Sequence, residues 1–79
     1  MKMTLSQLSI GESATIVSHQ SSGSIRQRLL DLGLIPQSQI KLIRKAPLRD
    51  PFEFRVGATS VVIRKTEADT VIVRLAALS

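Results

Sequence analysis

The chain of 79 residues has no cysteine, tryptophan or tyrosine, only two phenylalanines and a single histidine. Without cysteine there is neither a disulfide staple nor a thiolate metal site. The lone His19 stands among six carboxylates scattered along the chain: Glu12, Asp31, Asp50, Glu53, Glu67 and Asp69. Transition-metal centres need several convergent donors, so no metal site is expected. There is no Cys–His pair and no glycine-rich phosphate loop of the P-loop kind. Ser21, Ser22 and Ser24 follow His19 in a serine-rich loop, but no orienting acid completes a triad. The chain is therefore read as a non-enzyme with no catalytic residue and no cofactor. The scarcity of aromatics removes the stacking platform on which single-stranded nucleic acids are held. It also removes the aromatic groove that recognises proline-rich peptides. No apolar run approaches the ~18 residues that span a bilayer. The segment Met1–Ser6 lacks the apolar core of a secretory leader, so the expected location is the cytoplasm.

What is present is a small folding unit. Hydrophobic residues make up 43%, too many for a disordered chain, and no linker or repeat interrupts residues 1–79, which read as one domain. Eleven basic against six acidic residues give a formal net charge of +5, which favours acidic partners.

Thr4 to Leu8 fits a single helical or 3₁₀ turn, ended by Ile10-Gly11. Ala14–His19 is β-branched and short, and reads as a strand. Ser24 with Gln27 three positions later matches a capping box, so a helix of about two turns opens there. Ile25, Leu29 and Leu32 follow i, i+4, i+7 and form its core stripe. Gly33 can take the left-handed cap conformation, and Pro36 prevents the helix from resuming. Pro36-Gln37 suits a type I turn, since type II favours glycine at the second central position.

Strands are expected over Gln39–Lys45, Phe52–Val56, Val61–Arg64 and Val71–Leu75. In Phe52–Val56 both phenylalanines and the valine point one way, the charges the other. Gly57-Ala58 suits a type II′ hairpin turn, and Thr66–Asp69 a short polar turn with Thr66 as cap. Five short strands with one small helix lack the crossovers of a parallel sheet. The fold class is therefore mainly β: a small SH3-like five-stranded antiparallel barrel with one short inserted helix. The expected core is Leu8, Ile16, Ile25, Leu29, Leu32, Ile40, Leu42, Phe52, Phe54, Val56, Val61, Ile63, Val71 and Val73.

Four stretches carry a resemblance that spans nearly the whole chain: Leu5–Gly11, Arg28-Leu29 through Gly33-Leu34, Ala46-Pro47 with Asp50-Pro51, and Ile63-Arg64 with Glu67-Ala68 and Val71-Ile72-Val73. Their order and spacing resemble the FeoA family, the small accessory proteins of bacterial ferrous iron transport. The resemblance implies an SH3-like barrel with a helix inserted after its first strand. It also implies a partner: the cytosolic part of FeoB, a GTP-binding membrane protein that moves Fe²⁺ inward. Two positions depart from the family pattern, Gln37 and Arg49, each standing where glycine is usual.

Leu30 falls away from the helix stripe, beside Arg26. Leu34 follows the cap, and Arg49 lies between the prolines of the Ala46–Pro51 loop. Arg26, Leu30, Leu34 and Arg49 are therefore the expected partner-binding residues, with leucine supplying apolar burial and arginine orienting the encounter. Ile43, Val62 and Ile72 also fall opposite the expected core faces of their strands. The alternative is a small basic barrel that binds nucleic acid or a transcription-related partner through Lys41, Arg44, Lys45, Arg49, Arg55, Arg64, Lys65 and Arg74. A free barrel edge would also allow weak homo-oligomerisation.

Overall fold

A computed structural model describes residues 2–48 and 50–75. Six strands form one antiparallel sheet: β1 (Lys2–Thr4), β2 (Ser13–His19), β3 (Gln39–Lys45), β4 (Phe52–Val56), β5 (Thr59–Ile63) and β6 (Val71–Leu75). Their order is β1-β6-β2-β3-β4-β5. A 3₁₀ turn, Leu5–Gln7, follows β1; helix α1 (Gly23–Asp31) joins β2 to β3; and the single-turn helix α2 (Lys65–Ala68) precedes β6. The mainly β, antiparallel architecture with a short helix inserted between β2 and β3 is the expected one, and the single-turn α2 stands where a polar turn was expected. β1 is the strand that sequence alone did not supply. It is three residues long and exists by pairing with β6, Met3 opposite Val73.

Strict alternation builds the core. On β4, Phe52 and Phe54 are buried while Arg55 is exposed; on β5, Val61 and Ile63 are buried on either side of exposed Val62. The hairpin between them has Gly57-Ala58 as its two-residue loop, Val56 facing Thr59, and Gly57 at φ 61°. Ala58 is not at positive φ, so the turn is type II′ as expected. Eleven of the fourteen expected core residues are buried. Leu32 and Val56 are partly buried and pack against that core. Leu5, Ala14, Leu34 and Ala68 join it unexpectedly.

Ile25 is a correction: it is 44% exposed. The N-cap of helix α1 lies two residues earlier than expected, at Ser22 rather than Ser24. Ile25 therefore sits in the first turn, beyond the cover of the sheet, and Leu29 alone is fully buried on the helix. Gln27 forms no capping box; its amide donates to the Asp31 carboxylate at 2.9 Å.

The end of α1 is a Schellman cap. The N–H of Leu34 donates to the carbonyl of Leu29 at 3.0 Å, and that of Gly33 to Leu30 at 3.0 Å. Gly33 has φ 101°, and a β-carbon there would meet Val56 Cγ1 at 3.3 Å. The chain then turns again at Ile35–Ser38, where the Ser38 N–H donates to the Ile35 carbonyl at 2.9 Å. Gln37 at φ 82° makes this turn type II rather than the expected type I. Two backbone bonds to Ile16 hold it: Gln37 N–H to the Ile16 carbonyl (2.8 Å) and Ile16 N–H to the Ser38 carbonyl (2.9 Å). A glutamine therefore occupies a conformation that favours glycine because the sheet needs the turn there.

Candidate protein-docking surface

Helix α2 is the hub around which the surface is organised. Its first residue, Lys65, gives its backbone N–H to the Asp50 carboxylate at 2.9 Å, which ties the proline loop to the helix start. Glu67 accepts the Arg64 N–H at 3.0 Å, satisfying another free donor at that start. The same carboxylate pairs with Arg28 of α1. The position expected for Thr66 as cap is thus taken by Arg64, one turn of α-helix replacing the looser polar turn. Burial pushes the Glu67 carboxyl up, but the Arg64 N–H and the Arg28 and Arg64 guanidinium groups outweigh it and hold it below its usual value. Asp69, at the other end of α2, is held below its usual value chiefly by the Ser6 hydroxyl, against the opposing effect of burial, with Lys65 adding to the lowering.

This scaffold leaves an open groove on one side. Arg44, Lys45, Ala46, Pro47, Pro51, Phe52, Glu53 and Val62 enclose about 510 Å³. A neighbouring recess of about 370 Å³ shares Pro51 and Val62 and adds Arg28, Asp50 and Arg64. Val62 is 54% exposed at the junction. The two prolines fix the backbone beside it without offering donors to the sheet. The rim is ordered by charge: Arg44 pairs with Glu53 at 2.7 Å, and Lys45 Nζ lies 5.2 Å from the Phe52 ring centroid, a cation–π contact. Arg64 makes no ion pair among the described residues. A β-bulge at Ile43 sets this geometry, since the β3–β4 register shifts between Leu42 and Arg44 and brings Arg44 opposite Glu53.

The four residues expected to bind a partner are not brought together. Arg26 is exposed and Leu30 half-buried, one helical turn apart on the same flank of α1. Arg28, which lines the recess beside the groove, is two positions from Leu30 and so about 200° round the helix, on the other flank. Leu34 is a correction: it is fully buried, because the Schellman cap turns it into the core beside Leu29. Arg49 lies outside the described residues. Of the three strand residues expected to face outward, Val62 is exposed while Ile43 and Ile72 are half-buried.

The groove therefore replaces Leu34 as the centre of the apolar surface. Its sequence signal was present in Val62 and in the paired prolines. The Arg44–Glu53 pairing depended on the bulge and had no local signal.

Among the described residues, no group of three or more His, Asp or Glu side chains is placed to hold a metal ion. His19 instead donates its Nε2–H to the Leu34 carbonyl at 2.6 Å, which joins the end of β2 to the segment after α1. Its Nδ1 is buried without a partner. No described helix is long and apolar enough to cross a membrane. What the groove can do is accept an apolar side chain between prolines and engage acidic neighbours at its arginine rim.

Sheet order and the helix inserted between β2 and β3 define a small SH3-like β domain. Comparison with known proteins narrows this further. The FeoA domain family model matches residues 3–75, and the chain belongs to that family, the FeoA proteins of ferrous iron transport. It is 36% identical over 73 residues to an Fe(2+) transport protein A/Fe(2+) transporter FeoB fusion protein of Porphyromonas gingivalis, covering 92% of this chain and 9% of that one. It is 30% identical to a Fe(2+) transport protein A of Campylobacter jejuni, covering 92% of this chain and 99% of the relative.

Among solved structures, the FeoA protein of Chlorobium tepidum superposes with a TM-score of 0.89 at 36% identity, covering 95% of this chain and 71% of that one. Stenotrophomonas maltophilia FeoA, described as a prokaryotic SH3 domain protein and solved with zinc, gives 0.79 at 33% identity, with 90% and 88% covered.

Proposed function

We propose that this protein serves ferrous iron uptake as a regulatory or scaffolding subunit that docks on the cytosolic region of an FeoB-type GTP-binding transporter. The observation that carries the proposal is the relative in which an FeoA protein and an FeoB transporter are one chain. Fusion of two partners replaces a bimolecular encounter with a high effective concentration, which makes sense only for partners that meet.

The groove around Val62 supplies the contact. Val62, Pro47 and Pro51 offer the apolar centre, and Arg44 and Arg64 orient an acidic segment of the transporter at the rim. Arg26 and Leu30, on the opposite flank of α1, form a second and smaller contact.

The test is co-purification with the separately expressed cytosolic region of an FeoB-type transporter. The wild-type chain is retained, and Val62→Glu loses at least about tenfold in affinity while its circular dichroism spectrum stays unchanged. Equal retention of the variant would remove the groove from the interface. Failure of the wild-type chain to bind would remove the partner. Measuring GTP hydrolysis with and without the bound chain separates regulation from scaffolding.

A further inference from the structure

The outward face of the sheet carries two pairs of like charges in direct register. Lys2 on β1 stands opposite Arg74 on β6, and Lys41 on β3 stands opposite Arg55 on β4. All four side chains are exposed. Like charges directly opposite each other destabilise an antiparallel pair, a cost that an external anion or a nearby carboxylate would offset. The flanking strands supply none. Thr15 is the neighbour of Arg74, with Gln39 beyond it; Ser13 is the neighbour of Lys41, and Ser60 of Arg55.

Two acids close by along the chain already have partners. Glu53, two residues along β4, is paired with Arg44 at 2.7 Å, and Glu12 accepts the Ser9 N–H at 2.7 Å. The other two ion pairs of the described residues, Arg28–Glu67 and Lys65–Asp69, lie at α2. Two ranks of neutral polar and cationic side chains thus cover the sheet over this area. Lys41 and Arg55 also line a shallow depression of about 210 Å³ with Ser13 and Gln39.

We propose that this face lies against the anionic headgroups of a lipid bilayer. The face offers neither an apolar nor an aromatic side chain among the eight positions in these ranks. The core of a protein interface is apolar and aromatic-rich, and bound single strands stack on aromatics; neither fits here. A headgroup layer requires only charge, spread over a surface, and each Lys or Arg near it adds to the attraction. The face adjoins the Val62 groove, since Glu53 and Val62 stand two residues along β4 and β5 from Arg55 and Ser60 on the same side of the sheet. The proposal does not depend on the partner's identity.

The test uses the full chain and vesicles without any transporter. Sedimentation with phosphatidylcholine vesicles is compared with vesicles containing about one third phosphatidylglycerol, in low and high salt. Binding is expected only to the anionic vesicles and is lost in high salt. Lys41→Gln/Arg55→Gln should weaken it about tenfold or more. Arg26→Gln/Arg64→Gln removes the same net charge elsewhere and should weaken it less than about threefold, because charges beyond a Debye length are screened. Circular dichroism checks that both variants fold.

Equal binding to both vesicle types would overturn the proposal. So would equal losses in the two double variants. So would retention on a single-stranded oligonucleotide or an acidic polypeptide with no vesicle binding.

Discussion

Leu34 donates its backbone N–H to Leu29 at 3.0 Å, and both side chains are fully buried in the same core. The residue that ends the helix is thus also a wall of the fold. Gly33 makes this possible, with φ 101° and Val56 Cγ1 only 3.3 Å from where a β-carbon would stand. Gly33→Ala should destabilise the protein by about 1–3 kcal/mol through left-handed strain and this contact. Leu34→Ala should cost about 2–5 kcal/mol as a buried truncation. Urea denaturation measures both. A loss below about 0.5 kcal/mol for Leu34→Ala would contradict its burial.

The turn at Ile35–Ser38 predicts the opposite sign. Gln37 holds φ 82° without the freedom of glycine. Gln37→Gly should raise stability, by up to about 1 kcal/mol, the relief of strain exceeding the entropy glycine gains in the unfolded chain. Thermal unfolding of the two proteins side by side reads the difference. A lower melting temperature for the variant would place the turn in another conformation.

Acid should weaken the fold through α2. Glu67 and Asp69 are both held below their usual values in the folded protein. The unfolded chain therefore takes up protons first as pH falls. The stabilisation is complete above the usual carboxylate range of about 4–4.5 and is lost as pH drops toward and through the lower folded values. Glu67→Gln should flatten that part of the stability profile, and Ser6→Ala should move the Asp69 contribution toward higher pH. Unfolding midpoints measured across the acid range check this. An unchanged profile in Glu67→Gln would assign the acid sensitivity to other groups.

The two flanks of α1 can be separated by substitution. Val62→Glu alters the groove and Leu30→Glu the other side. If the groove is the main contact, Val62→Glu costs tenfold or more in transporter binding and Leu30→Glu a few-fold, read by titration calorimetry. The reverse ranking would move the interface to the Arg26–Leu30 flank.

Much of the fold was legible because its strands are short and half-buried. In Phe52–Val56 and Val71–Leu75 alternation alone separates buried from exposed positions. The Gly57-Ala58 turn followed from the conformations its hairpin requires. Residues escaped where burial depends on something other than periodicity. Leu34 lies outside the helix, and its burial is a property of the cap. Ala14 and Ala68 are too small to register in a hydrophobic pattern, yet both are fully buried. Ile25 continued a correct stripe past the point where the sheet ends. β1 has no pattern of its own, since its three residues are ordered by β6, some seventy positions away. The site was less legible still. Its lining comes from α1, β3, the proline loop, β4 and β5, and only the bulge at Ile43 brings Arg44 to Glu53.

The bond from Lys65 N–H to Asp50 has a mechanical consequence. It is the fastening by which the lip of the groove is hinged to the body of the domain. A guest that grips the loop must either leave this latch closed, and so stiffen α2, or prise it open and leave a backbone donor bare. Occupancy should consequently be audible at a distance, as slower hydrogen exchange at the Lys65 amide when the latch stays shut and faster exchange when it is drawn.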